Sequence, residues 1–340
     1  MASKHVLIHI GQHVSPYLSD IILADLELRQ PDYRLSAAGM KIGAQLSAMF
    51  RNVESILEQE RPNLVLVLGD SNSALCAILA ERMGIPVARM GAGNRSRDRK
   101  SPEEKNRRVI DAASTIHMAY TPSGKANLLG EGCHAERIMM TGNPIREVIG
   151  HHRARVDKSS VLERLELEPG EYMVVTAHHA VNVDDPEKLD GVLGGLNRVA
   201  EQFGKRLIFS THPYTRSKLL HGGIQRPIHA LVEFHEPFGF HDFVRLERSA
   251  SCAITDSGSV QEECCLLGVP TVTIRTATDR PETVDCGSSV VCGPVPEKIA
   301  DAVKVMTAMP ANGWRIPAGY DPIDVSDKVV SMLLTQPPFH

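Results

Sequence analysis

Residues 253–274 read AITDSGSVQEECCLLGVPTVTI: an apolar run stops at Asp256-Ser257-Gly258-Ser259, two glutamates follow, and apolar residues resume. Small polar residues where a buried strand turns into a helix can make an anion site. The first backbone N–H groups of a helix have no partner within it, and its dipole is positive at that end. Glycine at 258 lets a phosphate approach the backbone, and the hydroxyls of Ser257 and Ser259 can donate further hydrogen bonds. One turn on, Glu262 and Glu263 are placed to accept from ribose hydroxyls. The same residues also suit an ordinary helix start, a serine cap followed by glutamates that complement the dipole. The stretch alone leaves both readings open.

Other polar loops repeat this placement. Gly69-Asp70-Ser71-Asn72-Ser73 follows the run 64–68, and Gly91-Ala92-Gly93-Asn94-Arg95 follows 85–90. Ala177-His178-His179 follows 172–176, and Thr211-His212-Pro213 follows 206–210. Carboxylates and imidazoles at such positions can exchange protons with a ligand. Plainer roles exist for each: Asp70 could cap a helix over 71–83, Glu103 in Ser-Pro-Glu-Glu fits a helix start with proline at its first position, and His178 could be a satisfied strand-end histidine. The pairs His151-His152 and His178-His179 are adjacent, which points their side chains apart. No H-E-x-x-H or H-x-x-x-H helix motif is present, so no metal site is expected.

These loops need a scaffold. Strands are predicted at 5–10, 64–68, 85–90, 116–120, 137–141, 172–176, 206–210, 231–234, 252–255, 271–274 and 289–292. Helical periodicity falls between them, as at 43–59, 71–83 and 187–203. Strands buried on both faces and alternating with helices predict parallel sheets of the doubly wound α/β type. A chain of 340 residues exceeds the usual single core. The break falls within 141–171, where a strand ends in Gly-Asn-Pro. The expected division is 1–148, 149–318 and a C-terminal segment 319–340, with two domains enclosing a cleft lined by post-strand loops.

Composition narrows the function classes. With 42% hydrophobic and 23% charged residues and a net charge of −4, acids and bases are interspersed and no broad basic surface for nucleic acid is expected. Apolar runs such as NLVLVLG are too short to cross a bilayer, and the N-terminus lacks the features of a signal peptide. Seven cysteines, an odd number without a C-x-x-C pair, suggest reduced thiols in a cytoplasmic protein.

Taken together, PNLVLVLGDSNSALCAILAERMGIPVA, PEEKNRRVIDAAS, ERIMMTGNPI, STHPYTR and TDSGSVQEECCLLGVPTVTIRTATDRPETVDCG resemble the non-hydrolysing UDP-N-acetylglucosamine 2-epimerases over nearly the whole chain. GQHVSPYLSDIILADLELRQPDYRL and AGNR look like the branch that forms UDP-N-acetyl-L-fucosamine. The resemblance implies two Rossmann-like domains of the GT-B type, a homodimer, and a C-terminal helix, here 325–334, crossing back to the first domain. It also implies a UDP-sugar held mainly by the second domain. Ser257, Gly258 and Ser259 would face the diphosphate, Glu263 the ribose and Phe243 the uracil. Arg95, His179, Asn182, His212, Arg216, Arg280 and Glu282 are further candidates for substrate binding.

The implied chemistry inverts C2 of the amino sugar. The C2 proton leaves as UDP departs from C1, the resulting 2-acetamidoglucal is re-protonated on its other face, and UDP returns. Asp70, Glu103 and His178 match the family's acid/base positions, and neither cofactor nor metal is required. Three departures stand out. The chain starts about one strand later than the family pattern, without its Gly-Thr-Arg-Pro-Glu loop. Gly91 stands where the family's V-E-A-G places a glutamate. The family's HR-x-E-N becomes HHAVN, keeping His178 and Asn182 but placing His179 and Val181 at the other two positions. Two readings follow: a divergent epimerase, or a UDP-sugar-binding homologue that is weak, inactive or merely hydrolytic. A GT-B glycosyltransferase would share the cleft, but GDSNSA, PEEKNRR and RTATDRPE look specific to the epimerases.

Overall fold

The computed structural model describes residues 4–11, 20–37, 39–221, 226–310 and 313–335. Part of the GQHVSPYLSD stretch used in the resemblance therefore lies outside the described residues. The chain forms two compact units. One comprises Met1–Arg95, Arg99–Pro144 and Asp324–His340; the other comprises Ser96–Asp98 and Ile145–Ile323.

In the first unit, β1 (Ile8–His9) pairs in parallel with β2 (Tyr33–Arg34). A four-stranded parallel sheet follows in the order β3 (Val65–Leu68), β4 (Val87–Met90), β5 (Ile116–Ala119), β6 (Ile138–Met140). The pairing of β2, only two residues long, was not anticipated from the pattern. One core cluster gathers Met49, Val53 and Leu57 from helix Ile42–Glu60 with Ala77, Ala80, Val87 and Ile110. A second joins Ala88, Ile116 and Met118 to Val325 and Val329 of helix Val325–Thr335. Alternate strand residues thus enter different clusters, the mark of a sheet covered on both faces. β3 departs from that expectation: Leu66 is 44% and Leu68 63% exposed.

The second unit holds a six-stranded, all-parallel sheet in the order β12-β11-β10-β7-β8-β9. Its strands are β7 (Tyr172–Thr176), β8 (Arg206–Ser210), β9 (Val232–His235), β10 (Ala253–Thr255), β11 (Thr271–Thr273) and β12 (Ser289–Val291). Met173, Val175, Phe209 and Ile254 pack on helices Pro186–Phe203 and Pro296–Thr307 through Val192, Leu196, Ile299 and Val303. Tyr172, Val174, Ile208 and Ala253 pack on the opposite side with Leu246, Val260 and Cys264. Local sequence sets the helix ends. Asp185 accepts from the amides of Glu187 (3.1 Å) and Lys188 (3.4 Å) ahead of Pro186, and Gly204 closes the helix at φ +63°. The strand order reverses between β7 and β10, which makes their carboxyl ends a switch point where doubly wound sheets bind ligands. Among the described residues, no helix is long and apolar enough to cross a membrane.

Candidate functional site

At that switch point, β10 delivers Asp256, fully buried, into the start of helix Gly258–Leu267. Ser257 is the capping residue, with extended backbone at φ −85° and ψ 135°, yet its side chain makes no capping hydrogen bond. Its hydroxyl instead meets that of Ser259 at 3.0 Å. The ordinary cap considered from sequence is therefore not formed, and the helix start keeps its donors directed outward.

Asp256 organises the neighbouring loop. Its carboxylate accepts from the backbone amides of His178 (2.9 Å) and His179 (3.0 Å) and from Asn182 Nδ2 (3.2 Å). Asn182 also donates to the Ile274 carbonyl at 2.9 Å, tying in the end of β11. The loops after β7, β10 and β11 thus hang on one buried carboxylate. Outside them the His178 imidazole, 41% exposed, stacks on His212 with ring centroids 5.4 Å apart. The Tyr214 amide donates to His212 Nδ1 at 3.1 Å, so in the neutral ring the proton sits on Nε2. Asp256→Asn turns an acceptor toward donors it can no longer satisfy. It is expected to lower the melting temperature, at roughly 1.5–3 kcal/mol per charged hydrogen bond lost. A melting temperature equal to the parent's would remove Asp256 from this role.

The loop before Pro281 folds against the same helix start. Thr278 Oγ1 donates to Gln261 Oε1 at 2.8 Å, and Gln261 Nε2 to the Ser257 carbonyl at 3.0 Å. Arg280 pairs with Glu262 and with Asp279. Its guanidinium carbon lies 3.3 Å from where a Cβ on Gly258 would stand. Glu262 therefore serves Arg280, which differs from its reading as a ribose acceptor. Arg216 pairs with Glu236 at 3.1 Å. Phe243 packs partly buried on the core cluster of Val174 and Val260, and Glu282 lies in the first turn of helix Pro281–Asp285.

The first unit holds Asp70 and Glu103. Asp70 follows β3 and pairs with Arg107, while Asn106 Nδ2 donates to the Asp70 carbonyl at 2.9 Å. Both partners come from helix Pro102–Ala113, whose start carries Glu103, a hydrogen-bond acceptor from Ser101 at 2.6 Å. Behind them runs a buried chain of charges. Arg89 pairs with Asp111 at 2.8 Å and donates to the Arg107 carbonyl at 2.5 Å. Asp111 also takes Arg95 at 2.7 Å, and Arg95 reaches Glu131 at 2.5 Å. Burial pushes the Arg89 guanidinium below the usual arginine range, against the pull of Asp111 and then Asp70. Arg95, a substrate-binding candidate from sequence, has its side chain committed inside this network. Gly91 lies at φ +71°, and a Cβ there would sit 3.5 Å from the Tyr120 ring.

Comparison with known proteins now bears on this arrangement. The family described as UDP-N-acetylglucosamine 2-epimerase matches residues 2–334. The chain belongs to this family. A UDP-N-acetylglucosamine 2-epimerase of Methanococcus maripaludis is 36% identical over 322 residues, spanning 93% of this chain and 88% of its own. A UDP-2,3-diacetamido-2,3-dideoxy-D-glucuronate 2-epimerase of Pseudomonas aeruginosa is 30% identical over 304 residues, spanning 88% and 83%. The crystal structure of the Methanocaldococcus jannaschii UDP-GlcNAc 2-epimerase with UDP-GlcNAc and UDP has a TM-score of 0.91 at 34% identity, covering 97% of this chain and 91% of that one.

As a member of the UDP-N-acetylglucosamine 2-epimerase family, the chain is an α/β protein of the nucleotide-sugar isomerases, with the parallel sheets expected from sequence. Three residues escaped the sequence reading: Asp256 as the loop organiser, and the Arg89–Asp111 pair behind Asp70. A signal for Asp256 was present, since it ends an apolar run beside the quoted serines. For Arg89 there was none, because an arginine in a strand pattern does not reveal its burial.

Proposed function

We propose that the protein is a UDP-N-acetylhexosamine 2-epimerase that eliminates UDP and adds it back. The uncapped start of helix Gly258–Leu267, held by Asp256, carries this reading: it offers amides and two serine hydroxyls to a diphosphate. Arg280 is already matched by Glu262 and Asp279, so the helix end and the hydroxyls take much of the anion's charge. The related structure crystallised with UDP-GlcNAc and UDP supports the same ligand class.

In the proposed reaction, a carboxylate takes the C2 proton while the C1–O bond breaks and its electrons leave with UDP. A C1=C2 double bond remains in the 2-acetamidoglucal. Protonation at C2 from the other face and attack of the UDP oxygen at C1 complete the inversion. Asp70 and Glu103 are assigned the two C2 proton transfers, and His178 the leaving diphosphate, where Asp256 holds its backbone. We further propose a homodimer acting in the cytoplasm. The sugar's other substituents are not fixed by these residues, and relatives with different sugars are known.

The test is proton NMR of the protein with UDP-N-acetylglucosamine in D₂O. Deuterium entering C2 together with the manno epimer is the expected result. Gly91 favours a second reading, binding with little or no turnover. Saturation transfer without exchange would support it, and release of free sugar would support hydrolysis. Gly91→Glu restores a carboxylate at this position. At φ +71° it carries a backbone cost of about 1–2 kcal/mol, shared by Gly91→Ala. Equal melting temperatures for the two variants, with faster C2 exchange only in Gly91→Glu, are expected. Exchange slower than in Gly91→Ala would show that the glycine belongs to a differently arranged mechanism.

A further inference from the structure

Two thiols that the proposed chemistry does not use meet beside the candidate site. Cys265 lies near the end of helix Gly258–Leu267, and Cys286 directly follows helix Pro281–Asp285. They are 21 residues apart in sequence, yet their sulfurs stand 3.9 Å apart, and both are free thiols. Among the described residues, no other two cysteine sulfurs are within hydrogen-bonding reach of each other. Sulfurs in a disulfide are about 2.05 Å apart, so side-chain rotation has a gap of about 2 Å to close.

The two sides of the pair differ. Cys265 is 1% exposed, and burial pushes its thiol up. Cys286 is half-buried, with its sulfur 3.3 Å from Ser288 Oγ and 3.5 Å from the Thr283 carbonyl. A reagent in solution therefore reaches Cys286 first, and Cys265 is the shielded thiol behind it. The Cys265 carbonyl accepts from Trp314 Nε1 at 3.0 Å, and Trp314 is the chain's single tryptophan.

We propose that Cys265 and Cys286 form a reversible redox pair, oxidised by small-molecule disulfides, whose bond clamps the loop that carries Arg280. The exchange has two steps. The Cys286 thiolate attacks a small disulfide, forming a mixed disulfide and releasing one small thiol, which takes up the proton Cys286 gave up. Cys265 then attacks the Cys286 sulfur, and the second small thiol leaves with the Cys265 proton. Two protein thiols are oxidised as one small disulfide is reduced to two thiols. In a reducing pool such bonds are transient and redox-sensing rather than structural. The bond adds a covalent tie to the polar contacts that already hold the loop, Arg280 with Glu262 and Thr278 with Gln261. That loop lies against the helix start assigned to the diphosphate, but the redox pair does not rest on the assignment.

The test is incubation of the full chain with glutathione disulfide, followed by mass spectrometry and peptide mapping. Loss of two hydrogen atoms in mass, a linked peptide joining Cys265 to Cys286 and quenched Trp314 fluorescence are expected, all reversed by dithiothreitol. Cys265→Ser should stop at a glutathione adduct on Cys286, and Cys286→Ser should give no linked peptide. Adducts that persist on Cys286 of the parent, a link to a different cysteine, or no reaction would each overturn the pair. The clamp has its own readout. The Thr283 and Cys286 amides donate to the Arg280 and Glu282 carbonyls at 3.1 Å each. Their hydrogen exchange is expected to slow about tenfold or more in the oxidised parent. Rates equal to those of the reduced chain would overturn the clamp. Neither measurement uses a nucleotide, so both hold whether or not the helix start takes a diphosphate.

Discussion

Asp70→Asn is expected to slow epimerisation by about 10²–10⁴-fold, the usual consequence of removing one acid/base group, while UDP affinity stays within about twofold. The amide keeps the shape of the side chain but cannot accept the C2 proton. Asp70 is suited to the role because it is 34% exposed at its side chain, yet fixed by Arg107 and by Asn106 on its carbonyl. Its partners come from the second and later turns of helix Pro102–Ala113, so the loop is held by a rigid element rather than by its own backbone. The separation of effects matters as much as their size. A loss confined to kcat supports proton transfer, since an interaction made only in the transition state affects turnover and not ground-state binding. An unchanged rate would pass the C2 proton to another group, with Glu103 first in line.

The second large effect concerns stability. Asp111→Asn removes the only anion that Arg89 and Arg95 share among the described residues, and all three side chains are 1–2% exposed. Breaking a buried pair by removing one partner costs about 3–5 kcal/mol, because the remaining charge has lost its water and gained nothing in return. Here Arg95 keeps Glu131, which limits the damage on that side, whereas Arg89 keeps, among the described residues, the carbonyl acceptors of Arg107 and Gly69. For a unit of this size the loss amounts to a fall of about 10 °C in melting temperature. Arg89 also supports the Arg107 carbonyl, so the variant should lose turnover below its melting point as well. A shift of under about 2 °C would mean that the network contributes little.

The scaffold was readable because its signals are local. β-branched runs and helical periodicity placed the strands from β3 to β12 within a residue or two, and Pro and Gly marked their ends. β2 escaped because two paired residues make no pattern. β3 was expected to be buried on both faces, and its exposed Leu66 and Leu68 show that apolar sequence sets strand propensity but not which neighbours exist. The loops of the candidate site were also visible, since small polar residues after apolar runs are conspicuous. What could not be read was how charges were spent. Arg95 looks available in sequence and is buried against Asp111 and Glu131. Glu262 and Glu263 look equivalent, yet one neutralises Arg280 and the other is pushed up to about 7 by burial. Those outcomes depend on residues distant along the chain, brought close only by tertiary packing.

Helix Val325–Thr335 closes the core around Ala88, Ile116 and Met118, although some 180 residues of the second unit intervene between Pro144 and Asp324. On a ribosome the chain emerges from its N-terminus onward. The second unit can therefore finish folding while the first still waits, open-sided, for its last piece. Until Val325 and Val329 are made, one hydrophobic face of the first unit has no cover of its own. A premature stop after Ile323 would spare every residue of the loops after β7, β10 and β11 and still damage the unit that carries Asp70 and Glu103.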